Sequence, residues 1–261
     1  ADDLLGNATA NWIVARGGND WLVGEGGADT LDGGAGNDWI GYLNAGGPVT
    51  VNLGAGTVSG ADGSDSLLGI EGVYGSAFND SLVGGSALVA DEFDGKAGND
   101  TIDGGAVTDR ANYANLNRLW FKSATQGVVV DLGGITGDGS VGQGTAQDGQ
   151  GGTDVLRNIN FVVGTSFDDS IAGSSAQVFE FFEGGEGDDT IDGGAIGATD
   201  ALALRNGNRV VYANAGGPVQ VDLAAGTATG DDGSDTLLNI TQVQGSRYND
   251  TLLGSSSSIP E

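Results

Sequence analysis

The chain has 261 residues, a net charge of −27, 51 glycines and no Cys, His or Met. Those absences exclude disulfides, thiolate sites and the usual transition-metal ligands, and leave oxygen donors of the kind that suit calcium or magnesium. With nine Lys and Arg against 36 Asp and Glu, nucleic acid and anionic membranes are excluded as partners, and no apolar run is long enough for membrane insertion.

The glycine share is far above the usual ~7%, yet glycine does not recur at every third position as in collagen. Large apolar residues recur at regular spacing, which a disordered chain does not require. In the first forty residues Asp20, Asp29 and Asp38 are nine apart, and each is followed two positions later by Leu22, Leu31 or Ile40. Nine residues are too few for a helix and a turn, and dense glycine opposes helix. They suffice for a six-residue turn and a three-residue strand, in which only the middle side chain faces inward. Two such turns make a flat coil of eighteen residues, and coils stack at ~4.8 Å. The expected core is a thin double stripe of Leu, Ile, Val and Phe. Trp21 and Trp39 precede the inward Leu22 and Ile40, so they face outward, stacked one coil apart. Trp12 has the same local position on the opposite face.

Further along, long units repeat. Ala45–Ile70 matches Ala215–Ile240 without a gap, and Gly75–Gly105 matches Gly164–Gly194 in the same way. A middle unit carries "QGVVVDLGG" and "GQGGTDVLRNI" at the equivalent places. The units run approximately 1–85, 86–174 and 175–261. "PVTVNL", "GVVVDL" and "PVQVDL" read as strands outside the nine-residue phase, expected to continue the stacked sheet or to bulge from it as a hairpin. Asp109 to Lys122 is the least regular stretch and reads as a loop or a short helix. The chain opens at "DDLLG" and closes near "NDTLLG", the same phase of the unit, so it is expected to be a piece of a longer array.

The turn reads G-G-x-G-x-D, followed by x-U-x with U large and apolar. "GGAGNDWIG" from Gly33 and "GGEGDDTID" from Gly184 match fully; stretches from Gly24, Gly60, Gly95, Gly149 and Gly230 match with one or two changes. On these residues the sequence resembles the repeats-in-toxin family, whose nonapeptide binds calcium in a parallel β-roll. The fold implied is all-β, a parallel β-roll or β-helix solenoid of stacked Gly/Asp-rich calcium-binding turns. Physics agrees with the resemblance. Stacked aspartates ~4.8 Å apart repel by roughly 1 kcal/mol in water and about 3.5 at an effective dielectric of 20. Calcium, taking 6–8 carboxylate and carbonyl oxygens, reverses that sign.

By the family pattern, the first and third carbonyls of a turn and its final Asp carboxylate bind the ion. The resemblance therefore implies that one turn supplies Gly33, Ala35 and Asp38, and its neighbour Gly24, Gly26 and Asp29, with Asp20 in the same phase. Equivalents are Gly95, Ala97 and Asp100; Gly149, Gly151 and Asp154; Gly184, Glu186 and Asp189. In two turns, Gly60, Asp62 and Asp65, and Gly230, Asp232 and Asp235, the third residue adds a carboxylate. Asp80, Asp169 and Asp250 sit in turns without the inner glycine, where an Asx turn capping its own backbone is the expected role. Asp32, Asp103 and Asp192 follow a strand and read as a solvated outer face.

No His or Cys is present for nucleophilic or acid–base work, and the carboxylates are accounted for by the turns, so the segment reads as not enzymatic. The implied function is a calcium-binding structural segment of a secreted or cell-surface bacterial protein. The resemblance implies export through a type I system, folding on several external calcium ions, and service as a spacer, adhesin or assembly module among neighbouring copies. The alternative is a polysaccharide-binding module using Trp12, Trp21 and Trp39. Ice binding needs regular outward Thr rows, and the Thr residues here are scattered between Trp, Ser and Val.

Overall fold

A computed structural model describes residues 1–85, 90–105, 116–133, 143–175, 179–194 and 208–255. Among them there are only strands, turns and bends, in two sheets. One sheet is parallel throughout and stacks ten strands in chain order: Asp3–Leu5, Trp21–Val23, Trp39–Gly41, Gly72–Tyr74, Glu92–Asp94, Arg118–Trp120, Phe161–Val163, Glu180–Glu183, Asn208–Val211 and Gln242–Gln244. The other, with sixteen strands, is mixed. The chain passes from the parallel sheet to the mixed sheet along one edge, here the outgoing edge, and comes back along the other, the return edge.

Most coils give one strand to each sheet. Three coils instead give the mixed sheet an antiparallel meander. The first comprises Val49–Asn52, Thr57–Gly60 and Ser66–Leu68; the second Val129–Asp131, Gly144–Gln147 and Thr153–Arg157; the third Gln220–Asp222, Thr227–Gly230 and Gly233–Leu238. "PVTVNL", "GVVVDL" and "PVQVDL" are the opening strands of these meanders. Of the stretch from Asp109 to Lys122, residues 109–115 lie outside the described residues. Arg118–Trp120 within it is a strand of the parallel sheet, not a loop or helix, because Leu119 takes the inward place beside Phe93 and Val162.

Three-residue strands present one side chain each to the interior. In the parallel sheet, registered neighbours run Leu4, Leu22, Ile40, Val73, Phe93, Leu119, Val162, Phe182, Val210 and Val243. Facing them are residues such as Leu31, Val51, Leu82, Ile102, Ile171 and Ile191, all buried. Each buried Leu, Ile or Phe contributes about 1.5–3 kcal/mol. A second apolar cluster, Phe161, Val163, Phe179, Phe181 and Val211 with Trp120 and Leu116, sits on the outer face of the parallel sheet.

Candidate metal centre

The outgoing edge carries a spine of carboxylates. Asp29, Asp65, Asp80, Asp100, Asp154, Asp169 and Asp189 are all buried along it, with Asp235 and the more exposed Asp250 closing the row. Each Oδ1 accepts a backbone N–H from the coil before: Asn11 to Asp29 at 2.7 Å, Asp29 to Asp65 at 3.0 Å, Asp80 to Asp100 at 2.8 Å, Asp100 to Asp154 at 2.9 Å, Asp169 to Asp189 at 2.9 Å and Asp189 to Asp235 at 3.2 Å. Where a meander intervenes, the donor is Val49, Val128 or Val219, toward Asp80, Asp169 and Asp250. The return edge starts the same way. Asp2 donates to Asp20, Asp20 to Asp38, and Asp38 to Glu71.

Oδ1 is thus fixed by the stack, and Oδ2 decides what a turn can do. In the glycine turns it is buried without a partner at Asp20, Asp29, Asp38, Asp100 and Asp189. The first glycine of the turn makes room for it. A Cβ at Gly24, Gly33, Gly95 or Gly184 would stand 2.4, 2.7, 2.4 or 2.0 Å from Oδ2 of Asp29, Asp38, Asp100 or Asp189. The second observation concerns sign: burial pushes the carboxyl of Asp38 above its ordinary range, that of Asp100 to about 8 and that of Asp189 to about 7. Desolvation first, then the neighbouring aspartates, make these charges costly, and a divalent cation would offset that cost. The residues therefore fit calcium: buried oxygen donors, an unsatisfied lone pair in each turn, and glycine backbone against it. Among the described residues no three Asp or Glu converge into a ready cluster, so an ion here would complete its shell with backbone carbonyls.

Gly24, Gly33, Gly95 and Gly184 are buried beside their own aspartates, whereas Ala35 and Glu186 are exposed and Gly26 and Ala97 lie half-buried. The carbonyl of Ala35 already accepts Gly18 N–H at 3.0 Å. Turns 24–29 and 33–38, expected as neighbours, lie on opposite edges. The coil repeat is eighteen residues, so Asp38 stacks on Asp20 and Asp29 on Asp65. Gly60 and Gly63 close a tight hairpin inside the first meander. There Asp62 accepts Gly46 N–H, and Asp65 Oδ2 accepts the Tyr42 hydroxyl at 3.0 Å. Gly230, Asp232 and Asp235 repeat this arrangement with Gly216 and Tyr212, the latter at 2.7 Å. Burial first, then the facing aspartate, pushes both tyrosine hydroxyls upward, which keeps them as donors. An ion at either place would have to displace the tyrosine. Gly149 and Gly151 sit in the hairpin of the middle meander, and Asp154 is buried at its end, its carboxyl pushed by burial to about 7.

The Ser/Thr turns form a third class. Ser76 donates its N–H to Asp80 Oδ2 at 2.6 Å and its hydroxyl to Oδ1 at 2.7 Å. Thr165 does the same for Asp169, and the Ser246 hydroxyl caps Asp250. Asp103 and Asp192 are half-buried and accept Asn158 and Asn239 amides at 2.7 Å, so they tie the return edge together and are not purely solvated. Sequence reasoning missed the tyrosine and hydroxyl caps. The signals were present: Tyr42 and Tyr212 both stand two residues before "NAGGPV", and Ser or Thr follows the first glycine in "GSAFND", "GTSFDD" and "GSRYND".

Trp21 and Trp39 are registered neighbours on the outer face of the parallel sheet, and Trp12 lies on the mixed sheet, 80% exposed. Trp21 and Trp39 both pack on Tyr74, at 5.0 and 4.8 Å between ring centroids. With Asp3, Asn19, Asn37 and Lys122 they line a groove of about 290 Å³.

A family model for the RTX calcium-binding nonapeptide repeat matches this chain in four copies, over residues 5–40, 90–110 and 180–195. No curated protein matches it. The aspartates of the glycine turns, with their unpartnered oxygens, all fall inside the matched residues.

Proposed function

We propose that this chain, a β-roll of RTX calcium-binding repeats, is a structural segment of a secreted or cell-surface protein that folds when it meets external calcium. It serves there as a spacer, adhesin or assembly module. The single observation carrying this reading is the coincidence of the family matches with buried, partnerless carboxylate oxygens. The ligands assigned are the Oδ2 atoms of Asp20, Asp29, Asp38, Asp100 and Asp189, with the carbonyls of their turns. Sites of extracellular strength, with Kd around 10⁻⁴ M, contribute about 1.4 kcal/mol each at 1 mM calcium. Several together decide whether a marginally stable array folds. Where calcium is scarce the unneutralised spine keeps it open, which suits export before folding. Sedimentation velocity in chelator and in millimolar calcium tests this. A slow, expanded species that becomes a compact rod in calcium supports it, and larger species in calcium favour assembly between copies. A chain that sediments as the same compact particle in both overturns it.

A second reading, polysaccharide binding, is favoured by the groove of Trp21, Trp39 and Tyr74 flanked by Asn19 and Asn37. Aromatic rings take the apolar face of a sugar and amides take its hydroxyls. Lys122 Nζ lies 5.0 Å from the Trp39 ring centroid and 4.0 Å from that of Trp120, so a sugar must share those rings with a cation. Tryptophan fluorescence titrated with soluble oligosaccharides should respond, and the response should vanish in Trp21→Ala/Trp39→Ala. A flat titration would remove this reading.

A further inference from the structure

We infer that the middle meander holds a divalent cation through Asp148, at a junction where its two sister meanders use a tyrosine. In all three, the last strand begins beside an aspartate of the outgoing spine: Asp65, Asp154 and Asp235. In the first and third, a Tyr hydroxyl satisfies the second oxygen of that aspartate. The equivalent residue of the middle unit is Phe121, buried and unable to donate.

The same unit gains a carboxylate. Antiparallel pairing puts Ala146 opposite Asp154 and Ala228 opposite Asp235, while Val58 and Asp65 exchange backbone hydrogen bonds. Two residues further on stand Asp148 in the middle unit and Gly230 and Gly60 in its sisters. Where the sisters have no side chain, the middle unit has an acid.

Asp148 is 1% exposed. Its Oδ1 accepts Gln150 and Gly152 N–H at 2.7 and 2.9 Å, and its Oδ2 has no partner. That oxygen is aimed. A Cβ on Gly152 would stand 2.4 Å from it and 1.8 Å from the carbonyl oxygen of Gly98. Both oxygens therefore converge on one spot. Gly98 belongs to the turn of Asp100, whose Oδ2 is likewise buried and partnerless and whose N–H is bonded to Asp154. No ion pair among the described residues reaches Asp100, Asp148 or Asp154. Of the carboxylates with a buried partnerless oxygen, Asp148 alone lies outside the family matches, so the repeat motif does not assign it. Carboxylate and carbonyl oxygens with a tolerant shell select calcium over the smaller, more strictly octahedral magnesium. The ion's choice as calcium rests on the reading of the repeats proposed above; the site's existence rests on Asp148.

The test counts calcium bound per chain, by equilibrium dialysis and atomic emission, in wild type, Asp148→Asn, and the double variant Phe121→Tyr/Asp148→Gly. The double variant rebuilds the sister junction. Both variants should bind one ion fewer than wild type, and the double variant should keep the calcium-bound circular dichroism spectrum. An unchanged count in whichever variant folds overturns the Asp148 site and leaves the repeat sites standing. A wild type that binds no calcium overturns both.

Discussion

Asp80 and Asp100 stand one coil apart on the same edge, in "GSAFND" and "GKAGND", and they solve one problem in two ways. Both are buried, both have Oδ1 held by the preceding coil, and both have Oδ2 pressed against the first glycine of their turn. The second residue makes the difference. Ser76 turns its N–H and hydroxyl onto Asp80, then accepts Phe78 N–H at 3.1 Å, so the turn is closed by its own donors. Lys96 directs its ammonium to Asp94 at 3.0 Å and leaves Asp100 alone. Its φ is +71°, and Gly98 follows at +133°, a left-handed path that a hydroxyl turn does not take. Self-capped turns are closed by protein donors alone, and glycine turns leave a buried Oδ2 open for the cation proposed above.

The largest way to break that comparison is chelation. Hydrogen exchange read by mass spectrometry in EDTA should show lost protection around Asp29, Asp38, Asp100 and Asp189, with slower loss around Asp80 and Asp169. Uniform loss would erase the distinction. Next in size is pH. Burial holds the carboxyls of Asp100, Asp154 and Asp189 at about 8, 7 and 7 in the metal-free fold. Between the ordinary carboxylate range near pH 4 and those values the native state binds more protons than the unfolded one, so stability in chelator falls as pH rises through that window. The β signal of circular dichroism in EDTA should therefore decline from pH 4.5 through 6 to 8, where the chain is largely unordered; a rise would contradict the assignment.

Smaller effects come from single side chains. Asp100→Asn should cost about 1.4 kcal/mol in 1 mM calcium, the worth of one ion at Kd around 10⁻⁴ M. In EDTA at pH 8 the same substitution should leave more β structure than wild type keeps, because a buried charge has gone. Asp80→Asn has no such change of sign: it removes an acceptor of Ser76, lowers stability in calcium and brings no gain of β structure in EDTA. Ser76→Ala is smallest: losing one hydroxyl donor costs about 1–2 kcal/mol, the same at every calcium concentration at which the chain folds. A calcium-dependent cost for Ser76→Ala would merge the two classes.

The regular coils were legible because nine-residue spacing, glycine density and a lone inward residue leave one arrangement: Leu22, Leu31 and Ile40 sit where the period puts them. The outward Trp21 and Trp39 followed from the same alternation. The meanders were not legible as such. "TVSG", "GTAQ" and "TATG" are short and polar on one side, and they count as strands only because neighbours on both sides pair with them. That hidden return strand also recast "GADGSD" and "GDDGSD" as hairpins, although their aspartates keep their place in the spine. Which turns stack was a question of edges, not of spacing: nine residues cross the roll and eighteen return to the same side. The tyrosine caps were missed because Tyr42 meets Asp65 twenty-three residues away: the shared "NAGGPV" context marks Tyr42 and Tyr212 as equivalent without naming their partners.

The most direct test of the central claim is far-ultraviolet circular dichroism of this chain, begun in EDTA and titrated with calcium beside a magnesium control. The account predicts a largely unordered spectrum in EDTA that becomes β on calcium alone, with one midpoint in the range of 10⁻⁴ to 10⁻³ M expected of extracellular sites. A β spectrum already complete in EDTA and unmoved by calcium would contradict it, since the buried oxygens of Asp20, Asp29, Asp38, Asp100 and Asp189 would then need no cation.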